Sequence, residues 1–384
     1  MTDAMRFETA AIHVGQEPDP TTGAAIVPIY QTSTYVQDAV GRHRGYEYSR
    51  TDNPTRRALE TCLAALEGAG FALAFASGMS AITTLALAMG SSRKVVIPTD
   101  GYGGTYRLFD KVMAQAGMSY EMVDMTDLDA LQRALGGGAG MVLVESPTNP
   151  LLRVLDLRAI AAAAHEAGAL FVVDNTFATP YLQRPLELGA DAVVYSATKY
   201  LGGHSDLVMG AVTTSDAALA ERLRFLQNAV GAVPGPFDSW LLLRGLKTLA
   251  LRMRAHCSGA AAVAQWLGER SEVSAVHYPG LASDPGHDLA TAQMSACGTP
   301  LYGGMVSIEL ASEHRALRVG EHTRLFFLAE SLGGVESLIE HPGRMTHASI
   351  EDSGVELPPA LLRLSVGLEH PDDLIADLAH ALEP

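Results

Sequence analysis

The chain has 384 residues, 48% hydrophobic and 18% charged, with a formal net charge of −16. That length can bury a large core and suggests two or three domains, and the acidic balance argues against a nucleic-acid partner, which calls for a basic face. Cys62, Cys257 and Cys297 are widely spaced and form no C-x2-C metal pair, so they read as free thiols in a reducing, cytoplasmic setting. The first twenty residues lack the apolar run of a signal peptide. No window approaches the length of a membrane span.

In chain order, the first fifty residues show no clear helical or strand period. The phrase PDPTTGAAIVPIYQTSTYV (18–36) reads as part of an extended arm over residues 1–54. Such an arm must bury itself against something, and a neighbouring subunit is the natural candidate. Regularity begins at residue 55. Apolar runs at FALAFAS (71–77), KVVIPTD (94–100), SYEMVD (119–124), MVLVES (141–146), ALFVVDN (169–175), DAVVYSA (191–197) and VMGAVTTS (208–215) predict seven strands. Most are separated by helical segments of about 10–15 residues, and none alternates strictly. This is the pattern of a mainly parallel sheet covered on both faces, within an α/β domain spanning 55–245. The stretch SWLLLRGLKTLALRMRAHCSGAAAVAQWLG (239–268) predicts a long connecting helix. A smaller α+β domain (246–384) follows, with strands at VSAVHYP, MVSIEL and LLRLSVGLE and a last helix at DDLIADLAHAL.

Sheets of this kind bind ligands beyond the carboxyl ends of their strands, so the strand ends carry the functional signal. FALAFAS ends in Ser77-Gly78-Met79 and enters a helix, where outward amide groups and the helix dipole suit a phosphate or carboxylate. ALFVVDN delivers Asp174, and DAVVYSATK delivers Ser196, Thr198 and Lys199 ahead of the Gly202-Gly203 pair. Each alone has an ordinary reading: a tight turn, a helix-capping acid, a surface lysine. Together they supply what pyridoxal phosphate requires. The lysine bonds to the aldehyde, the acid keeps the pyridine nitrogen protonated, and the helix terminus with nearby hydroxyls holds the phosphate. Such a lysine must lose its proton, which a reference pKa near 10.4 disfavours unless the site is desolvated or electropositive.

Motifs along nearly the whole chain carry a resemblance. They are YEYSRTDNPT (46–55), AFASGMSAI (74–82), YGGTY (102–106), ESPTNP (145–150), VVDNTFATPYLQRPLELGAD (172–191), YSATKYLGGHSD (195–206), FLQNAVGAVP (225–234), RGLKTLALRM (244–253), SLGGVESLIEHP (331–342) and RLSVGLE (363–369). In this order they resemble the γ-type pyridoxal-phosphate enzymes of cysteine and methionine metabolism. The resemblance implies a fold-type I transferase-like α/β architecture and pyridoxal 5′-phosphate as cofactor, with no metal. Lys199 would carry the cofactor and shuttle protons, and Asp174 would pair with the ring nitrogen. Gly78, Met79, Ser196 and Thr198 would hold the phosphate, and Tyr102 would stack on the ring. Tyr48 and Arg50 would reach the phosphate of a neighbouring subunit, making the arm part of a shared site in a homo-oligomer, a dimer of dimers. Arg363 would grip the substrate α-carboxylate, a bidentate task suited to a planar guanidinium. Asn149 and Ser337 match further positions around the carboxylate and ring edge. His204 and His347 read as structural hydrogen-bonding groups.

Within this group the core residues serve both γ-elimination and γ-replacement, so they do not choose between them. Glu47 and Glu336 resemble an acidic pair suited to the distal ammonium of cystathionine, and Gly104 stands where methionine-specific relatives carry cysteine. The expectation is therefore a cystathionine γ-lyase releasing cysteine, 2-oxobutyrate and ammonia. The alternatives are a γ-synthase joining cysteine to an O-acyl homoserine, an enzyme with both activities, or a non-catalytic scaffold that kept the fold. Arg344 is an added cation beside the expected cleft. The scaffold reading requires a lost lysine, acid or arginine, and Lys199, Asp174 and Arg363 are all present.

Overall fold

The computed structural model describes residues 5–90, 93–296, 298–346 and 357–383. Strands β1 (Phe71–Phe75), β2 (Lys94–Pro98), β3 (Tyr120–Val123), β4 (Ala139–Glu145), β5 (Leu170–Asp174), β6 (Ala192–Ser196) and β7 (Gly210–Thr214) form one sheet in the order β1-β7-β6-β5-β4-β2-β3. All seven fall on the predicted runs. Strand β7 alone runs against its neighbours, pairing antiparallel with both β1 and β6. The missing alternation has a direct cause, because both faces of the sheet are buried. On β4, Val142 and Val144 join one core cluster while Met141 and Leu143 join the other. The same parity places Phe171, Val173 and Tyr195 on the first face and Val172 and Val194 on the second.

Helices α1 (Phe7–His13), α2 (Pro54–Glu67), α3 (Gly78–Met89), α4 (Gly103–Leu108), α5 (Leu128–Leu135), α6 (Leu157–Glu166), α7 (Thr179–Leu182) and α8 (Ala217–Val230) accompany this sheet. Helix α3 belongs to the second face, where Ala81, Ile82, Leu85 and Ala86 are buried. Helix α4 continues into a wider π turn over Phe109–Met113. Helix α1 has no counterpart in the sequence reading: at seven residues it is too short to display a period, yet Phe7, Ala10 and Ala11 are buried in the first cluster.

The predicted long helix is two, α9 (Pro236–Leu246) and α10 (Leu249–Gly268). Its break sits where Gly245 packs on the loop after Lys199, leaving a Cβ there only 2.5 Å from the Gly202 carbonyl oxygen. Arg252 then caps the freed Gly245 carbonyl at 2.8 Å. The remaining elements are β8 (Val273–His277), α11 (His287–Gln293), β9 (Ser295–Ala296), β10 (Thr299–Pro300), β11 (Met305–Leu310), α12 (Glu313–His322), β12 (Phe327–Leu328), β13 (Leu338–Glu340), β14 (Leu361–Ser365) and α13 (Pro371–Ala381). Strands β12-β13-β14-β11-β8 make a second sheet, whose core is shared with α10, α12 and α13. Among the described residues no helix is long and apolar enough to cross a membrane.

Candidate active site

The carboxyl ends of β1, β4, β5 and β6 meet β14 of the second sheet around a cavity of about 290 Å³. Strand parity aims the polar residues into it. Glu145 and Asp174 are register partners on β4 and β5, and with Ser196 they share the parity of Leu143, Val172 and Val194, on the face covered by α3. Ser77 caps α3 by accepting from Ser80 N at 3.0 Å, so the amides of this turn open toward the same space. Gly78 packs closely there, since a Cβ would stand 3.1 Å from Ser196 Cα.

Lys199 follows β6 at the cavity wall, and its Nζ donates to Ser331 Oγ at 2.7 Å. Burial, with help from the Arg363 charge, pulls its pKa down to about 8, against the upward pull of Glu340 and Glu330. Asp174 moves the other way, up to about 6, because burial outweighs two bonds from Thr176, its amide at 3.0 Å and its hydroxyl at 2.5 Å. Thr176 Oγ1 also accepts from Ser196 N at 2.8 Å, tying the ends of β5 and β6 together. Thr198 Oγ1 accepts from Met209 N at 3.0 Å and donates to the Met209 carbonyl at 3.2 Å. Tyr102 starts α4 at the rim with its side chain 37% exposed, and its amide donates to Glu145 at 3.0 Å. Burial and the neighbouring Asp174 push Glu145 well above the usual carboxylate range.

Arg363 lies 2% exposed on β14. Its Nη1 reaches Asn149 Oδ1 at 2.8 Å and Glu340 at 3.0 Å, its Nη2 donates to the Ser331 carbonyl at 2.9 Å, and its Nε has no partner. Lys199, Asp174, Gly78, Met79, Ser196, Thr198, Tyr102, Asn149 and Arg363 all line this one cavity.

Five other expected residues lie elsewhere. The Ser337 hydroxyl donates to Glu369 at 2.8 Å and accepts from Gly367 N, away from the lining. Glu336 is met by Ser205 at 3.5 Å, and Glu47 pairs with His43 at 3.1 Å on the surface. Tyr48 and Arg50 line a separate pocket of about 170 Å³, where Arg50 donates to the Asn228 carbonyl at 2.7 Å. In place of Glu336 and Ser337 the cavity holds Glu330 and Ser331, the earlier Glu-Ser pair of AESLGGVES. Glu145, Thr176 and Glu340 were also missed, although each lies within a quoted motif and Glu145 stands at the carboxyl end of a predicted strand.

Arg344 is bound by Glu313 at 2.6 Å rather than free beside the cavity. His204 Nδ1 donates to the Gly202 carbonyl at 2.8 Å, a structural contact. His347 and Cys297 lie outside the described residues, and Cys62 and Cys257 are buried free thiols pushed up to about 12. Among the described residues no cluster of His, Cys, Asp and Glu is arranged to hold a metal.

A family profile described as Cys/Met metabolism PLP-dependent enzyme matches residues 8–383. A cystathionine gamma-synthase of Mycobacterium tuberculosis is 54% identical over 97% of this chain and 96% of its own. A cystathionine beta-lyase of Lactococcus lactis is 51% identical over 98% of this chain and 99% of its own. The crystal structure of metB from Corynebacterium glutamicum superposes with a TM-score of 0.96 at 46% identity, over 100% of this chain and 99% of that one.

Proposed function

The chain belongs to the Cys/Met metabolism PLP-dependent enzymes and uses pyridoxal 5′-phosphate, and on that premise we propose that it acts at the Cγ–S bond of cystathionine, joining cysteine to an activated homoserine ester by γ-replacement. The observation that supports pyridoxal-phosphate chemistry on an amino acid is the convergence of Lys199, Asp174 and Arg363 on one cavity, and the similarity to a cystathionine gamma-synthase supports replacement. The cavity fits the cofactor: a capped helix start with exposed amides, a buried carboxyl raised to about 6 that a pyridinium would hold ionised, and an unprotonated lysine within reach of neutral pH. Asp174 would hold the ring nitrogen; the Gly78 and Met79 amides, with Ser196 and Thr198, would hold the phosphate; Tyr102 would cover the ring from the rim.

Pyridoxal phosphate, when bound, draws electrons from the substrate's Cα and makes the proton there acidic. Arg363 receives the α-carboxylate, and its unpartnered Nε is a donor awaiting an acceptor. Lys199 would remove the Cα proton, pass it on to the bound cofactor and, neutral again, remove the Cβ proton from the same side, one base serving both positions. The C–O bond at Cγ then breaks with departure of the acyl carboxylate, the cysteine sulfur bonds to Cγ with release of the thiol proton, and Lys199 returns protons to Cβ and then Cα.

The 54% identical synthase relative supports placing replacement first. Elimination, the expectation from sequence, remains the second reading and is favoured by Glu330. A carboxylate on the cavity wall suits the distal ammonium of cystathionine as a substrate. In that direction the C–S bond breaks, cysteine leaves, and water releases 2-oxobutyrate and ammonia. Purified holoenzyme with cysteine and an O-acyl homoserine, compared with cystathionine alone, tests both. Faster 2-oxobutyrate release from cystathionine would reverse the order, and no turnover of either would end the reading. Tyr48 and Arg50, apart from this cavity, support a site completed by a second subunit of a homo-oligomer.

A further inference from the structure

Arg363 and Glu340 are register partners on adjacent antiparallel strands, β14 and β13, with side chains 2% and 1% exposed. Two charges so buried need close mutual geometry to be tolerated. Glu340 Oε1 meets Arg363 Nη1 at 3.0 Å and also accepts from Thr346 Oγ1 at 2.7 Å, which fixes the carboxylate in turn. Asn149 Oδ1 takes the other approach to Nη1 at 2.8 Å. Nη1 is therefore held by a hydrogen bond to Asn149 and an ion pair with Glu340, on the side of the loop after β4 and of β13. Nη2 spends one hydrogen on the Ser331 carbonyl at 2.9 Å, and Nε has none engaged. The donors left over are Nε and the second hydrogen of Nη2, the side-on pair that matches the two oxygens of a carboxylate.

We propose that Glu340 is a positioning residue: by engaging Nη1 it fixes the rotation of the Arg363 guanidinium so that its Nε–Nη2 edge receives the substrate α-carboxylate. This rests on reading Arg363 as the carboxylate seat. Glu340 touches no reacting atom and acts through Arg363 alone.

The test is a binding titration on holoenzyme with L-norvaline, an α-amino acid with no group to lose at Cγ, and with L-norvalinamide, which lacks the carboxylate. Both are followed through the absorbance of the bound cofactor. The wild type should prefer the acid. Glu340→Gln keeps an oxygen facing Nη1 and should hold that preference within about threefold, whereas Glu340→Ala should lower it about tenfold or more through the acid alone. Glu340→Asp, which withdraws the carboxylate while keeping the charge, should behave like the alanine variant and serves if alanine prevents folding. Wild-type preference in Glu340→Ala or Glu340→Asp overturns the proposal, as does a Glu340→Gln loss equal to that of alanine. The titration needs no turnover, so a protein inactive on cystathionine would still report on Glu340. An active one whose titrations do not separate would refute Glu340 alone.

Discussion

Lys199 should capture its cofactor at a pH where an ordinary lysine is inert. Burial and the Arg363 charge bring its pKa to about 8. At pH 7.5 about a quarter of such side chains are unprotonated, against about one in a thousand for a lysine near 10.4, an advantage of roughly two hundredfold. The assay strips the cofactor, mixes the apoprotein with pyridoxal phosphate between pH 6 and 10, and follows the absorbance change. A simple amine measured in parallel removes the cofactor's own titrations. The corrected rate should climb about tenfold per pH unit and level off above about 8. Glu340→Gln, by removing a charge that raises the lysine, should move the break to lower pH, and Arg363→Met should move it higher. A rate still climbing evenly to pH 10 would refute the argument. The same shift has a stability consequence. Between about 8 and 10.5 the unfolded chain holds the lysine proton and the folded chain does not, so apoprotein stability rises with pH across that window. Below it the folded state carries the full cost of a buried cation, and Lys199→Met should stabilise the apoprotein at pH 7 in thermal melts.

Asp174→Asn should retain cofactor, which the phosphate seat still grips, yet lower kcat/KM by about 10²–10³, because a neutral amide no longer stabilises a protonated ring; near-wild-type turnover would contradict the pairing. Gly203 has φ +75° and a Cβ there would meet Arg252 Nη1 at 2.0 Å, so Gly203→Ala should destabilise by roughly 2–5 kcal/mol in denaturant melts. Glu67, buried against Tyr195, is pushed up to about 8 by desolvation. Its folded pKa exceeds the unfolded value of 4.5, so its contribution is complete below pH 4.5 and lost as pH rises toward 8. Glu67→Gln should flatten that part of the stability–pH curve by an amount on the order of a few kcal/mol. Finally, mixing inactive Lys199→Ala and Arg50→Ala proteins under subunit exchange should restore a fraction of wild-type activity if Arg50 serves a neighbour's site, and none if it serves its own.

The large sheet was legible because seven short apolar runs, separated by helices, leave few other arrangements. The residues of the candidate cavity were legible where they stand at or just past the carboxyl end of a strand, as Asp174 and Lys199 do, since the topology places those ends together. Helix α1 was not legible, because seven residues carry too little period to stand out from an irregular arm. Glu145 and Glu340 were not legible either. Glu145 ends its strand as Asp174 does, but an acid there has many ordinary roles, and only the register of Glu145 with Asp174 and of Glu340 with Arg363 gives each charge a partner.

The Glu-Ser pairs of AESLGGVES show where sequence reasoning reaches its limit. Glu330-Ser331 and Glu336-Ser337 are chemically identical pairs six residues apart, and either could supply an acid and a hydroxyl to the cleft. The backbone between them decides. Ser331 has φ +94° and Gly333 φ +75°, so the chain folds back on itself before β13. Gly333 also lies against Lys199 and Tyr200, where a Cβ would be 2.6 Å from the Tyr200 amide. That close approach presses the first pair onto the lysine loop, with Ser331 bonded to Lys199 through its hydroxyl and to Arg363 through its carbonyl. The second pair, past the turn, is carried to the far side, where Glu369 takes the Ser337 hydroxyl. A strained serine at φ +94° is therefore consistent with its contacts: it joins Lys199 to Arg363, and the hydrogen bonds on both sides hold it there.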